Sequence, residues 1–477
     1  MRRRVQALGV VVALVAACSA GSDPSTVATT AAPSTASTTT ATAPPPTTRA
    51  ATTTTFGDCT ARPALAPPDP QRPRYAVQAT IDPAAGTAQG SLAVTFTPDI
   101  AVDDLVFRLW PNSPTTAAAG VALAVGPVTG VDGVPLAAVL TDPTTLDVGL
   151  ATVLGAGQSI TVSMPWTLTV PGPSDDRVSH DGDSLRLGSV LPVLSWEPGL
   201  GWDREPATTL LGEAASSPVA DWELTITVPA GFDVLATGVP DGAGRWHATA
   251  VRDVGLSVGH FAIATTTVPL PDPVSVVVGV DAGVGESPDP YLARVVEALE
   301  DFAGRIGPYP WPVFTLAITD GIDGSGIEFP MHVMQGPGTT GRTTPHEVAH
   351  QWFYALVGND QGRDPWLDEG LATYAEFTHE GTMEEAQART IPPGAKGQTG
   401  QPVTFWESRP DTYYRGVYVQ GAVAIASLGP QDQVDCALRR YVAANAYRIA
   451  RVADLIASFT TVFPDTAGQL APFGIYP

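Results

Sequence analysis

The most informative residues of the 477-residue chain lie in the sequence HEVAH, which runs from His346 to His350. Side chains four positions apart share one face of a helix, so both imidazoles can reach a single metal ion. Glu369 follows nineteen positions after His350, within the sequence WLDEG, and offers an oxygen ligand. Two histidines, one carboxylate and an open fourth position form a catalytic zinc site. We therefore predict one Zn²⁺ per chain, bound by His346, His350 and Glu369.

Glu347 lies next to the first predicted ligand and can reach a water molecule on the metal. Zinc lowers the pKa of such a water toward about 7, and the glutamate of this motif accepts its proton. Glu347 is therefore the predicted general base. A second interpretation stays open, because residues 344–347 also fit a capping box in which Glu347 only satisfies the start of a helix. The two histidines would then be surface residues.

The segments around His346, Glu369 and Gly421 are predicted helices in a region that mixes helices and strands. An amphipathic helix is predicted at 289–306, between strands at 274–280 and 314–318. From residue 56 to residue 269 the chain instead contains short β-type runs between turn residues. These runs are 75–81, 90–97, 105–110, 159–164, 222–228 and 232–237. We predict an all-β N-terminal domain over 56–269, built as a sandwich or saddle, and a mixed α/β domain over 270–477.

The first 55 residues predict export rather than folded structure. Three arginines precede an apolar run, 8–17, that is too short to span a bilayer. The sequence VAAC, which ends at Cys18, resembles the lipobox of bacterial lipoproteins, in which the cysteine receives lipid after cleavage. We predict a signal peptide over 1–17, lipidation at Cys18, a Thr/Pro/Ala-rich disordered tether over 18–55, and anchoring to the outer face of the bacterial cell membrane. An ordinary secretory signal that ends near a cysteine is the alternative.

Charge and cysteine content limit the possible partners. The formal net charge is −23 and no basic stripe is present, which excludes nucleic acid as a partner. Attachment to a membrane must therefore come from lipid and not from charge. In an oxidising exterior, Cys59 and Cys436 could form a disulfide, and two buried free thiols are the alternative. The oligomeric state does not follow from the sequence.

The sequence HEVAHQWF…WLDEGLATYAE resembles the zinc peptidases of the aminopeptidase N type, which are gluzincins with HExxH, eighteen intervening residues and a glutamate in a WLxEG context. The sequences GPYPWP and RLWPN are similar to other segments of that family, so the resemblance extends over nearly all of 70–430. It implies an N-terminal β-domain followed by a thermolysin-like catalytic domain. It also implies a peptide substrate that is cut one residue at a time from a free N-terminus.

The resemblance implies roles for two further segments. The sequence SGIEF, at 325–329, takes the place of the family's GAMEN element, where backbone groups hold the substrate and a glutamate binds its free amine. It implies that Gly326 and Glu328 bind substrate, with Glu328 as the anchor for the N-terminus; an ordinary exposed strand glutamate is the alternative. The sequence VYVQGA is similar to the family's YxKG segment and implies that Tyr418 stabilises the oxyanion. Tyr413 and Tyr414 are competing choices.

Three functions remain open at this stage. The first is an aminopeptidase, and the second is an endopeptidase with the same zinc chemistry, because SGIEF differs from GAMEN at most positions. The third is a non-catalytic surface-binding lipoprotein. The intact general base favours catalysis, because a structural zinc site is usually closed by four protein ligands and has no use for Glu347.

Overall fold

A computed structural model describes residues 59–477 apart from residue 61, residues 211–215 and residue 323. The predicted signal peptide, Cys18 and the tether therefore lie outside the described residues. Within the described part, no helix has the length and apolar character needed to cross a membrane. The structure joins Cys59 to Cys436 in a disulfide, with Cα atoms 5.5 Å apart.

Strands dominate the chain up to residue 260. Along the first strand, buried and exposed side chains alternate at every position, as expected for a strand with one face on a core. One short helix, α1 (Pro114–Ala118), lies in this region. The strands are β1 (Arg74–Asp82), β2 (Thr87–Phe96), β3 (Val102–Arg108), β4 (Ala122–Val125), β5 (Thr129–Gly130), β6 (Ala137–Asp142), β7 (Thr145–Leu154), β8 (Ile160–Thr169), β9 (Val178–Asp181), β10 (Ser184–Gly188), β11 (Val193–Leu194), β12 (Trp196–Glu197), β13 (Gly201–Trp202), β14 (Ala220–Thr227), β15 (Asp233–Ala236), β16 (Val239–Pro240), β17 (Arg245–Val251) and β18 (Gly255–Gly259).

These strands form one large sheet and three smaller ones. The large sheet has the order β16-β17-β14-β1-β2-β8-β4, with β5 also paired to β8. Two four-stranded sheets have the orders β15-β18-β10-β9 and β11-β3-β7-β6, and β12 pairs with β13. The predicted β-rich N-terminal region is confirmed. The strand predicted at 105–110 ends earlier, at Arg108, because a 3₁₀ turn at Trp110–Asn112 contains Pro111, which has no amide hydrogen to donate to a sheet.

The rest of the chain combines one sheet with helices. The strands are β19 (Phe261–Val268), β20 (Val274–Asp281), β21 (Val313–Ile318), β22 (Gly326–Phe329) and β23 (His332–Gln335). The helices are α2 (Asp289–Arg305), α3 (Thr343–Ala349), α4 (Trp366–His379), α5 (Met383–Ala388), α6 (Val403–Trp406), α7 (Pro410–Tyr414), α8 (Gln420–Ala426), α9 (Gln431–Asn445), α10 (Val452–Thr460) and α11 (Thr466–Leu470). A π-helical turn, Arg415–Val419, joins α7 to α8.

The five-stranded sheet has the order β19-β20-β21-β23-β22, so β22 is an edge strand. The boundary predicted after residue 269 falls inside this sheet, because β19 and β20 form an antiparallel hairpin from Phe261 opposite Asp281 to Val268 opposite Val274. The prolines at 269, 271 and 273 suggested a break between domains, whereas they occupy a hairpin turn. By its strand pairing, this sheet begins at Phe261.

Two buried contacts attach the β-rich region to the part of the chain that contains the five-stranded sheet. Phe329, at the end of β22, packs where Gly188 and Gly255 have no side chains, since a Cβ there would lie 2.3 Å and 2.6 Å from its ring. The buried Arg252 donates to the carbonyl of Tyr354 at 2.6 Å, in the segment that follows α3. The β-rich region therefore fixes both the edge strand and the segment after the HEVAH helix.

Candidate metal centre

The three predicted ligands converge on one point. The Nε2 atom of His346 lies 3.1 Å from Nε2 of His350 and 3.2 Å from Oε2 of Glu369. The third side of this triangle, from His350 Nε2 to the same oxygen, is 3.4 Å. Ligand atoms about 2.0–2.2 Å from a tetrahedral zinc lie about 3.3–3.6 Å from each other. All three sides lie within or about 0.2 Å below this range, so the triangle is close to the size that a zinc ion needs.

The other nitrogen of each imidazole is engaged elsewhere. Nδ1 of His350 lies 3.0 Å from the carbonyl oxygen of Phe353, which can only accept a hydrogen bond. Nδ1 of His346 lies 3.3 Å from Oε2 of Glu376. Partners of this kind fix the orientation and the tautomer of a metal-binding histidine. Both Nε2 atoms are thereby left to face the metal position.

Local structure explains this convergence. Helix α3 ends at Ala349, and His350 keeps helical torsion angles, φ −61° and ψ −13°, so the two histidines stay on one face. Glu369 lies in the first turn of α4. The capping-box interpretation is wrong, because the helix begins at Thr343 and Glu347 lies inside it. The hydroxyl of Thr344 donates instead to the carbonyl of Thr339 at 3.0 Å.

Glu347 is a buried carboxylate beside the ligands. Its Oε2 atom has no hydrogen-bond partner among the described residues. Burial raises the pKa of Glu347 to about 8, against the opposing effect of the nearby His346 and His350. A carboxylate oxygen of Glu347 lies within 4.8 Å of an imidazole nitrogen of His350, so this side chain can reach a water molecule at the metal position. At Gly326, a Cβ would lie 2.5 Å from Cγ of Glu347, so the glycine makes room for this side chain.

Glu328 lies on the edge strand β22 and faces the same space. It is 8% exposed, so the interpretation as an ordinary exposed strand glutamate is wrong. A carboxylate oxygen of Glu328 lies within 4.8 Å of the carboxylate of Glu347 and of an imidazole nitrogen of His350. Its Oε1 accepts a hydrogen bond from Nε2 of Gln361 at 3.3 Å. The structure thus brings Glu328 next to the predicted metal ligands.

Tyr418 is the predicted tyrosine that contacts a ligand residue. Its hydroxyl donates to Oε1 of Glu369 at 2.7 Å, and its ring stacks on His346 with centroids 5.8 Å apart. Tyr413 packs its ring against Trp406, with centroids 5.9 Å apart. The hydroxyl of Tyr414 accepts from Arg342 at 3.5 Å.

Close contact between two helices explains the position of Tyr418. The backbones of Gly370 in α4 and Gly421 in α8 lie in close contact. A Cβ on Gly370 would lie only 3.2 Å from Cα of Gly421, so a glycine suits this approach. This approach places the π-helical turn that contains Tyr418 beside the first turn of α4. The turn therefore reaches Glu369.

Two residues of the site were missed by the sequence analysis. Glu376 follows seven positions after Glu369, two helical turns further along the same face of α4, and this spacing could have revealed it. It contacts His346 and also pairs with Arg342. Gln361 lies in the segment between α3 and α4, where no periodic pattern marks it.

Comparisons with known proteins agree with this geometry. Residues 338–470 match the family model described as the peptidase family M1 domain. The matched residues contain all three predicted metal ligands, His346, His350 and Glu369. Human aminopeptidase B is 26% identical over an alignment of 203 positions that covers 37% of this chain and 31% of that protein. Rat aminopeptidase N is 59% identical over 32 residues, which are 7% of this chain and 3% of that protein. The chain therefore matches less than a third of the length of either relative.

Solved structures extend the likeness beyond the M1 domain. The crystal structure of an M1 zinc metallopeptidase from Deinococcus radiodurans superposes with a TM-score of 0.61 at 18% identity, covering 85% of this chain and 94% of that chain. A mutant of that protein bound to a Tyr-Ser-Ala substrate has a TM-score of 0.63 at 19% identity, covering 84% of this chain and 94% of that chain. The predicted fold class, a β-rich region followed by a mixed α/β catalytic region, is thus confirmed as the fold of M1 metallopeptidases.

Replacing Glu376 should weaken metal binding without removing a ligand. Glu376→Gln takes away the charge that holds Nδ1 of His346, and loss of such a partner typically costs about 10–100-fold in metal affinity. The measurement is competition for zinc with a chelator of known affinity, and it needs no activity assay. Glu380→Gln, at the end of the same helix and paired with Arg294, is the matched control. Equal zinc affinity for Glu376→Gln and wild type would contradict the assignment.

Proposed function

We propose that this protein is a zinc-dependent aminopeptidase that removes N-terminal residues from peptides. One observation supports the exopeptidase activity above all: the buried carboxylate of Glu328 lies beside Glu347 and His350. The ammonium group of a free N-terminus would pair with this charge. An internal stretch of peptide would leave the carboxylate buried without a counter-charge, which is costly.

In the proposed mechanism, different residues bind the metal, transfer the proton and stabilise the oxyanion. His346, His350 and Glu369 would bind one Zn²⁺, which when bound acts as a Lewis acid toward the scissile carbonyl and acidifies a water molecule. Glu347 accepts a proton from the attacking water at its unpaired Oε2 and donates it to the leaving amine. The hydroxyl of Tyr418, which donates to Glu369 in the structure, would turn its hydrogen to the carbonyl oxygen as negative charge develops there.

The edge strand adds a way to hold the substrate. β22 pairs with β23 on one side, and its other edge is the open edge of the sheet. An extended peptide can add to such an edge through main-chain hydrogen bonds. Gly326 and Glu328 lie on this strand, so the backbone and the amine of a peptide would be held by the same four residues. The names of the matched relatives, aminopeptidases B and N, support the same activity.

The first test is hydrolysis of a panel of aminoacyl fluorogenic amides by the purified, zinc-loaded protein. We expect activity that a chelator abolishes and added zinc restores. Glu347→Gln should lower kcat by about 10²–10⁴-fold, the usual contribution of a general acid–base residue. Glu300→Gln, on the exposed side of α2, is the matched control and should keep wild-type activity. A folded, zinc-loaded protein that cleaves none of these amides would favour an endopeptidase or the surface-binding role instead.

A second test separates the exopeptidase from the endopeptidase. One peptide is compared with its N-acetylated form, in which no ammonium remains to pair with Glu328. We expect cleavage of the free peptide alone, with release of its first residue. Glu328→Gln should lower kcat/KM for the free peptide by about 10²–10³-fold, since it removes one partner of a buried charge pair. Equal cleavage of both peptides would instead establish an endopeptidase.

We also propose that the protein is exported and anchored by lipid at Cys18. The disulfide between Cys59 and Cys436 supports export, because structural disulfides persist in oxidising compartments. Cys18→Ala should move the protein from the membrane fraction to the soluble fraction of a bacterial host that processes lipoproteins. A Ser19→Ala variant is the matched control and should remain with the membrane. Retention of Cys18→Ala in the membrane fraction would refute the lipid anchor.

A further inference from the structure

The side chain of Gln361 joins two buried carboxylates. It is 1% exposed, and its Nε2 atom donates to Oε1 of Glu328 at 3.3 Å and to Oδ2 of Asp368 at 2.8 Å. Ionised carboxylates only accept hydrogen bonds, so the amide nitrogen and not the amide oxygen must face them. One hydrogen of the amide group is therefore directed at Glu328 on β22, and the other at Asp368 on α4.

The segment that contains Gln361 is fixed on both sides. Before it, the amide of Gly358 donates to the carbonyl of Arg448 at 2.9 Å, and the carbonyl of Gly358 accepts from the amide of Ala450 at 2.7 Å. After it, the carbonyl of Gly362 accepts from the amide of Val403 at 2.9 Å. These contacts hold the backbone in place, so the side chain of Gln361 is a rigid support.

Asp368 connects this support to the metal centre. It precedes the predicted ligand Glu369, and its Oδ1 accepts from the amide of Glu369 at 2.9 Å and from Nδ2 of Asn359 at 3.2 Å. Asp368 is fully buried. Gln361 thus spans from the edge strand β22 to the first turn of α4.

We propose that Gln361 is a positioning residue that holds Glu328 at a set distance from the metal ligands, and thereby sets the cleavage point one residue from the N-terminus. This inference rests on the proposed aminopeptidase function. The distance from the carboxylate that binds the amine to the metal ligands decides which peptide bond is cut. As a neutral amide, Gln361 restrains one oxygen of Glu328 and adds no positive charge. A lysine or arginine here would neutralise the carboxylate and compete with the substrate amine.

The test measures what the substrate amine contributes to binding. The probes are an aminoacyl hydroxamate, which binds zinc, and its analogue without the α-amino group. The inhibition constant of the analogue is divided by that of the aminoacyl hydroxamate. This ratio reports how much the contact between the amine and Glu328 contributes to binding. In Gln361→Met, which keeps the size and removes both donors, this ratio should fall about ten-fold, the usual effect of losing a hydrogen bond to a charged group. Gln361→Lys should lower it at least as far, because it adds a competing cation.

Controls separate positioning from general damage. Gln335→Met removes a buried amide that donates to Thr339 and Thr344, so it should cost stability without changing the ratio. In Gln361→Met, the zinc content should stay unchanged. The inhibition constant of the analogue without the amine should stay unchanged as well. An unchanged ratio in folded, zinc-loaded Gln361→Met overturns the role of Gln361 alone. A ratio near one in the wild type overturns the amine site itself, and with it both the aminopeptidase and this inference.

Discussion

The molecule is organised around the repulsion between carboxylates that share one buried space. Glu328 and Glu347 have oxygens within 4.8 Å of each other, a distance at which two ionised carboxylates would repel by about 3–4 kcal/mol at an effective dielectric constant of 20. Burial raises the pKa of Glu347, and the charge of Glu328 adds to this effect. Glu369 adds a third carboxylate, and His350 and His346 lower its pKa below the usual range despite its burial. Such a cluster survives only if a rigid frame opposes its relaxation. Under the proposed function, a metal cation and a substrate ammonium are the charges that would complete it.

The three glutamates of this cluster lie on three different secondary-structure elements. Glu347 lies on α3, Glu369 on α4 and Glu328 on β22, so the backbone of each acid is fixed by a different element. Glycines allow close contacts between these elements. Gly326 packs against the side chain of Glu347, and Gly370 packs against Gly421. Close-packed interiors resist small displacements, so a larger residue at any of these glycines would force neighbouring groups apart.

The parts that the sequence predicted are those governed by local rules. The spacing of His346 and His350 follows from helical geometry, and the alternation along β1 follows from strand geometry. The contact between Glu376 and His346 depends on how α4 crosses α3, and the contact between Gln361 and Glu328 depends on an irregular segment. Neither is coded by a local pattern. The hairpin of β19 and β20 was missed because a proline-rich turn inside a sheet has the same composition as a linker between domains.

The departures of SGIEF from the family's GAMEN pattern have a packing explanation. Phe329 is fully buried between Gly188 and Gly255 of the β-rich region, with the guanidinium of Arg177 5.9 Å from its ring centroid. An apolar contact therefore holds the end of this strand to the β-rich region. Gly326, at the other end of the strand, leaves the space that Glu347 occupies. Glu328 lies between these two fixed points, so packing at both ends of the strand holds its carboxylate in place.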